Sequence, residues 1–253
     1  MTDAFLSGPS CNLIIFVCNK PPNLKLRHIF IVTFLILLAD QVLKIYIKTH
    51  YFIGQEHPVI DGIPWFRLHF IENEGMAYGW KLGGEWGKMA LTLFRLVAVI
   101  AGTWYLRQAT RKGYPLGFLF CATLVYAGAI GNLIDSIFYG RLFEGSDPFS
   151  QHVARSFFQE GFTGGYAGLL HGKVVDMLYF PIITDAHYPE WFPLWGGEPF
   201  EFFRPVFNIA DASISSGVIA ILLFQNRFFK ETETGTHPTV ETKAKVDDDV
   251  QVS

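Results

Sequence analysis

LGFLFCATLVYAGAIGNLIDSIF, residues 116–138, decides how this chain is read. It carries one charged side chain, Asp135, in a run as long as the roughly 17–25 residues that a hydrocarbon core of about 30 Å demands of a helix. A carboxylate at membrane depth is costly, so by default it marks a site with a partner. Ala127, Gly128, Gly131 and Asn132 precede it at helical spacings of three and four. That spacing predicts a face of small residues, on which a neighbouring helix packs closely, ending in polar groups near the outer end.

Three more stretches can span: 27–47, 88–106 and 207–224. Half of the 253 residues are hydrophobic and 17% are charged, below the roughly 25% of soluble domains. The expected fold is membrane α-helical, with four transmembrane helices, an extracytoplasmic loop region containing β-structure, and interfacial segments. A net charge of −3 with no basic patch among aromatics gives no reason to expect nucleic acid. Cys11, Cys18 and Cys121 form no C-x-x-C pair and Cys121 lies inside an apolar run, so no disulfide framework is expected.

Basic residues set the orientation. Lys20, Lys25 and Arg27 lead into the first span, and Arg107, Arg111 and Lys112 fill the link RQATRKGYP. Arg227 and Lys230 follow the fourth span. By the positive-inside rule both termini and that link are cytoplasmic, which puts loops 49–87 and 139–206 on the other side. The transmembrane domain is expected over 27–230, after a flexible leader, 1–26, and before a disordered cytoplasmic tail, 231–253. In the first outer loop, WFRLHFI (65–71) alternates as a strand does, and ENEGMAYG follows as a Gly-rich turn. The second outer loop, rich in Phe, Trp, Gly and Pro, predicts ordered irregular structure on the membrane surface. Gly161, Gly164, Gly165 and Gly168 suggest a gating segment within it.

Four carboxylates lie in or beside apolar stretches: Asp40 in DQVLK, Asp135 in GAIGNLID, Asp176 in VVDMLYF and Asp211 in FNIADASI. Asn208 and Asp211 share the opening turn of the fourth span, with Asn208 placed to cap it. Two carboxylates brought together in low dielectric share a proton. One can then act as base on a water while the other polarises a carbonyl. Each also has a plain structural reading, Asp211 as a helix cap and Asp176 as an ion-pair partner. Asp40 and Lys44, four apart, predict an intrahelical ion pair contributing roughly 0.5 kcal/mol or somewhat more if partly buried. Arg95 inside the second span is either a snorkelling side chain or a partner for a buried carboxylate. No G-x-S-x-G elbow, Walker A loop or H-E-x-x-H occurs, and the eight His are scattered, so neither a metal nor a cofactor is expected.

Taken in order, DQVLK, ENEGMAYG, GAIGNLID, VVDMLYF and FNIADASI resemble the signature blocks of bacterial lipoprotein signal peptidase, the type II signal peptidase. The resemblance implies an aspartic endopeptidase of the bacterial inner membrane, multi-pass, with its active site on the extracytoplasmic side. It implies cleavage of diacylglyceryl-modified prolipoproteins before the lipidated Cys, membrane lipid as a partner, and a monomer. It further implies Asp176 and Asp211 as the catalytic dyad, with Asn73, Gly75 and Ala77 shaping the substrate site. Gly131, Asn132, Asp135 and Asn208 would support the dyad, and Asp40 with Lys44 would secure the first helix. The chain departs from the family pattern at Ser136, where Arg is usual, and at Ala127, where Gly is common. Its two stretches between Asp135, Asp176 and Asp211 are longer than usual, and Arg95 is the candidate to replace the missing guanidinium. The competing readings are a proton-relaying transporter, disfavoured by the lack of a repeat, and a cation site built on the carboxylates.

Overall fold

The computed structural model describes residues 24–74, 84–193, 195–202 and 205–233. Its helices are α1 (Leu24–His50), α2 (Gly84–Arg111), α3 (Leu116–Ile134), a single turn α4 (Gly140–Leu142) and α5 (Ile209–Glu233). A π-helical segment, Asp135–Tyr139, joins α3 to α4. Four candidate spans result: Leu26–His50, Trp86–Arg111, Leu116–Leu142 and Ile209–Phe228. The chain is a multi-pass membrane protein, and its burial pattern is that of one. Phe30, Phe34, Val97, Ile100, Leu222 and Leu223 lie exposed on the outside, while Asp40, Lys44, Asn132, Asp135 and Asn208 are buried within.

The helices differ from expectation at their ends. α1 starts at Leu24, inside the stretch given to the leader, and α5 runs to Glu233, past residue 230. The Lys and Glu that follow the apolar stretch are good helix formers, and the first glycine comes only at Gly235. The remaining leader and tail positions lie outside the described residues. α5 begins at Ile209 rather than 207 because Asn208 caps it. The third span reaches Leu142 because the π-helical segment widens the helix without ending it.

The small-residue face has its partner. Gly128 on α3 sits against the Ala210 carbonyl and Ile214, and a side chain at Gly217 would begin 2.6 Å from the Cys121 carbonyl oxygen. α3 and α5 therefore touch backbone to backbone, which fixes Asn132 and Asp135 opposite the start of α5.

β1 (Glu56–Pro58), β2 (Arg67–Asn73) and β3 (Val174–Tyr179) form an antiparallel sheet in that order, and β4 (Ile183–His187) pairs with β5 (Pro199–Phe202). β2 lies two residues beyond the expected strand and takes in Glu72 and Asn73, which local composition assigned to a turn. Pairing overrides that composition, since Glu72 faces Val175 and Asn73 faces Val174 across the ladder. Ile47, Tyr51, Phe70, Tyr139, Phe143, Val175 and Met177 make one buried cluster that seats the sheet on the ends of α1 and the third span. The hairpin β4–β5 replaces part of the irregular structure expected of the second outer loop.

Residues 143–173 are braced rather than free. Glu144 accepts hydrogen bonds from the Thr163 amide (2.8 Å), the Thr163 hydroxyl (2.9 Å) and the Arg155 amide (3.2 Å). Those donors hold its carboxyl down at about 2. Gly165 packs on the backbone of Gly140 and Arg141, and Gly172 on the Asp135 carbonyl, contacts that any side chain would block. Gly161 and Gly164 take φ values of +76° and +133°, so they make turns. The buried Lys48 ammonium pairs with Glu72, which also meets Ser146 Oγ (2.9 Å) and Lys173 Nζ (3.3 Å), tying this segment to α1 and β2. Except at Gly168, which has open space beside it, the glycines expected to allow gating thus serve turns and close approach.

Candidate active site

The start of α5 is where the signature blocks converge. A helix opens with amide groups that have no intrahelical partner. Here Asn208 Oδ1 accepts from the Asp211 amide at 2.8 Å, the capping bond its position predicts. The Ala210 amide instead donates to Asp40 Oδ1 at 2.9 Å, so a carboxylate from α1 completes the cap of α5. Both caps are fully buried.

Asn208 does more than cap. Its Nδ2 donates to Asp176 Oδ1 at 2.7 Å and lies 3.2 Å from Asn132 Oδ1. Asn132 Nδ2 in turn donates to Asp211 Oδ1 at 2.7 Å. Two asparagines thus bridge a carboxylate on β3 to a carboxylate on α5. Asn73 Nδ2 approaches Asp176 Oδ2 at 3.3 Å from the neighbouring strand. Asp176 is 3% exposed between Val175 and Met177, and Asp211 is half-buried. Burial first, and the charge of Asp211 second, push the Asp176 carboxyl up to about 7, against the pull of hydrogen bonds from Asn73 and Asn208. A carboxyl that titrates near neutrality beside a second carboxylate suits general acid–base work.

Lys44 lies behind this pair. Its ammonium meets Asp40 Oδ2 at 2.9 Å, Asp135 Oδ2 at 2.7 Å and Asn132 Oδ1 at 3.2 Å, so its three donors have three acceptors. Gln41 Nε2 bridges Asp135 Oδ1 (2.9 Å) and Asp40 Oδ2 (3.1 Å), and Tyr139 Oη donates to Gln41 Oε1 at 3.1 Å. The Asp40–Lys44 contact is therefore one edge of an interhelical network and not an isolated pair within α1. Gly131 leaves room for it, since a side chain there would begin 2.8 Å from Asp40 Oδ2. Two of the four carboxylates face an ammonium, and among the described residues no group of three or more His, Cys, Asp or Glu is arranged to hold a metal ion.

The structure brings Asp176, Asp211, Asn73, Asn132, Asn208, Asp135, Gly131, Asp40 and Lys44 to one place. Gly75 and Ala77 lie outside the described residues. Reasoning from sequence passed over Gln41, Tyr139 and the Ala210 amide. Gln41 stands inside DQVLK, but its position next to Asp40 gave no sign that both face the same neighbour. Arg95 Nη1 donates at 2.7 Å to Oγ of Ser136, the residue at which the sequence resemblance is interrupted.

A polytopic helical membrane protein with two bridged carboxylates, one on a strand and one at a helix start, has the equipment of an aspartic peptidase. Residues 32–227 match the family described as signal peptidase (SPase) II. A Porphyromonas gingivalis protein named lipoprotein signal peptidase is 49% identical over 190 residues, 75% of this chain and 78% of that one. An Amoebophilus asiaticus protein of the same name is 31% identical over 202 residues, 79% of this chain and 78% of that one. Two solved structures described as bacterial membrane enzymes share the fold, each with a TM-score of 0.50. One is 22% identical and covers 87% of this chain and 95% of its own; the other is 24% identical and covers 79% and 92%. The chain belongs to the signal peptidase II family, whose members are aspartic peptidases.

Proposed function

We propose that this chain removes signal peptides from diacylglyceryl-modified prolipoproteins, cutting before the lipidated Cys, with Asp176 and Asp211 as the dyad. Family membership and the name carried by its relatives support the substrate class. The observation that carries the dyad is the Asn208 side chain, which holds Asp176 through Nδ2 and the Asp211 amide through Oδ1. In this reading the shared proton sits on Asp176, which donates it to the scissile carbonyl oxygen. Asp211 takes a proton from the attacking water, and a tetrahedral gem-diol forms. Asp211 then passes its proton to the leaving nitrogen as the C–N bond breaks, and Asp176 recovers the proton of the second hydroxyl. Asn73, with Gly75 and Ala77 beyond it in sequence, borders the substrate site.

The test is incubation of purified protein with a lipidated prolipoprotein, with the cut located by mass spectrometry. The expected product begins at the lipidated Cys, with or without a chelator. Cleavage elsewhere, or equal cleavage of the unlipidated precursor, sinks the substrate assignment. The bilayer is proposed to be the bacterial inner membrane, with a monomeric enzyme in direct contact with lipid and its dyad on the extracytoplasmic side. The basic residues around the first span, the link between the second and third, and the end of the fourth support this orientation. Reporter fusions at Gly145 and Lys245 are expected to report opposite sides of the membrane. A common side for both would overturn the topology.

A further inference from the structure

The second span supplies one charged side chain to the site, and dyad chemistry alone gives it no role. Arg95 is half-buried on α2 and donates from Nη1 to Ser136 Oγ at 2.7 Å. Ser136 donates in turn to the Asn132 carbonyl at 2.8 Å, and the Asn132 side chain holds Asp211. The guanidinium is thus linked to Asp211 through two residues. Its charge acts on Asp211, then on Asp135 and Asp176, the carboxylates presented by α5, the π-helical segment and β3. Lys44 on α1 also acts on Asp176, but two buried carboxylates, Asp40 and Asp135, already pair with it. Lys88, two turns before Arg95 on α2, is directed at Glu74 and Glu72. A guanidinium keeps its charge at any working pH. Among groups partly withdrawn from water such a charge acts over a longer distance than in bulk water.

We propose that Arg95 is a positioning residue that keeps the Asp176–Asp211 pair singly ionised, through its charge rather than through the tie it makes between α2 and Ser136. This rests on the dyad reading above. A cation favours ionisation of neighbouring carboxylates, so removing it moves both limbs of the pH profile of kcat/KM upward.

Arg95→Gln keeps a donor for Ser136 and removes the charge. It is expected to raise both limbs by roughly one pH unit, a tenfold change in each ionisation constant. Arg95→Lys is expected to leave the limbs in place. Ser136→Ala cuts the hydrogen bond but leaves the charge, and is also expected to leave the limbs in place, whatever it does to the plateau. The double variant Arg95→Gln/Ser136→Arg returns a guanidinium from the other helix and is expected to bring the limbs back. If Arg95→Gln lowers the plateau with unmoved limbs, or if Ser136→Ala shifts the limbs as far as Arg95→Gln, the role is a structural tie and the inference is overturned. Should Arg95→Gln fail to insert, the double variant and Arg95→Lys decide in its place, and displaced limbs in either count against the inference. Asp176→Asn in the same assay separates the two levels. Turnover by that variant removes the dyad reading and this inference with it, whereas a dead variant beside an unshifted Arg95→Gln profile removes this inference alone.

Discussion

Asp176→Asn and Asp211→Asn are each expected to abolish cleavage of a lipidated prolipoprotein, by at least on the order of 10⁴-fold, while the protein remains inserted and folded. Acid and base act as one unit, so either loss removes nearly the whole effect. Folding survives because the amide oxygen of Asn can still accept the 2.7 Å bonds that Asn208 gives Asp176 and Asn132 gives Asp211. The same geometry fixes a pH limb. In the proposed mechanism Asp176 is protonated when it polarises the carbonyl, and its carboxyl sits at about 7, so kcat/KM is expected to fall as pH rises through that value. It falls again in acid, where the pair takes up its second proton. Stability carries the opposite sign from an ordinary ion-paired carboxylate. A folded-state value raised above the unfolded one favours the fold below about pH 4, and that advantage is gone once pH passes the folded value. Asp176→Asn removes a buried charge that disfavours the fold at pH 8, so its thermal midpoint in detergent is expected to match or exceed the parent's there. Near-normal turnover by either variant would refute the assignment of that residue. A dead variant with a collapsed midpoint would mean that its loss is one of folding.

The four spans and the order of the signature blocks were legible because both are written in local composition. Hydropathy marks the spans, and the costly carboxylates mark positions that need partners. Strand limits were not legible where pairing decides them, as at Glu72 and Asn73, which β3 draws into β2. The site's inner layer was hidden for a related reason. Nothing adjacent in sequence says that the Ala210 amide needs a carboxylate 170 positions away, or that Gln41 bridges two of them. Composition alone does not separate a glycine that allows movement from one that allows close approach, because both uses select the same residue. Gly165 and Gly172 are small because backbone lies against them.

Lys44→Met is expected to be the most destabilising single change in the membrane-embedded layer. Spacing alone predicts an intrahelical pair contributing roughly 0.5 kcal/mol, or somewhat more if partly buried. In the fold, Lys44, Asp40 and Asp135 are all 0% exposed, and the ammonium lies between carboxylates from two different helices. Removing it leaves two buried carboxylates facing each other with only Gln41 between them, and breaking such a pair costs roughly 3–5 kcal/mol. Activity should fall with stability, because Asn132 loses the ammonium that fixes its Oδ1 and Asn132 is what holds Asp211. Asp40→Asn should cost less. Its amide oxygen can still accept from the Ala210 amide, and Asp135 remains to pair with Lys44. The double variant Asp40→Asn/Lys44→Met removes one charge of each sign and should recover part of the loss, a coupling expected of groups in direct contact. Thermal unfolding in detergent measures all three. A loss under about 1 kcal/mol for Lys44→Met, or strict additivity in the double variant, would show that the network contributes no more than a surface pair.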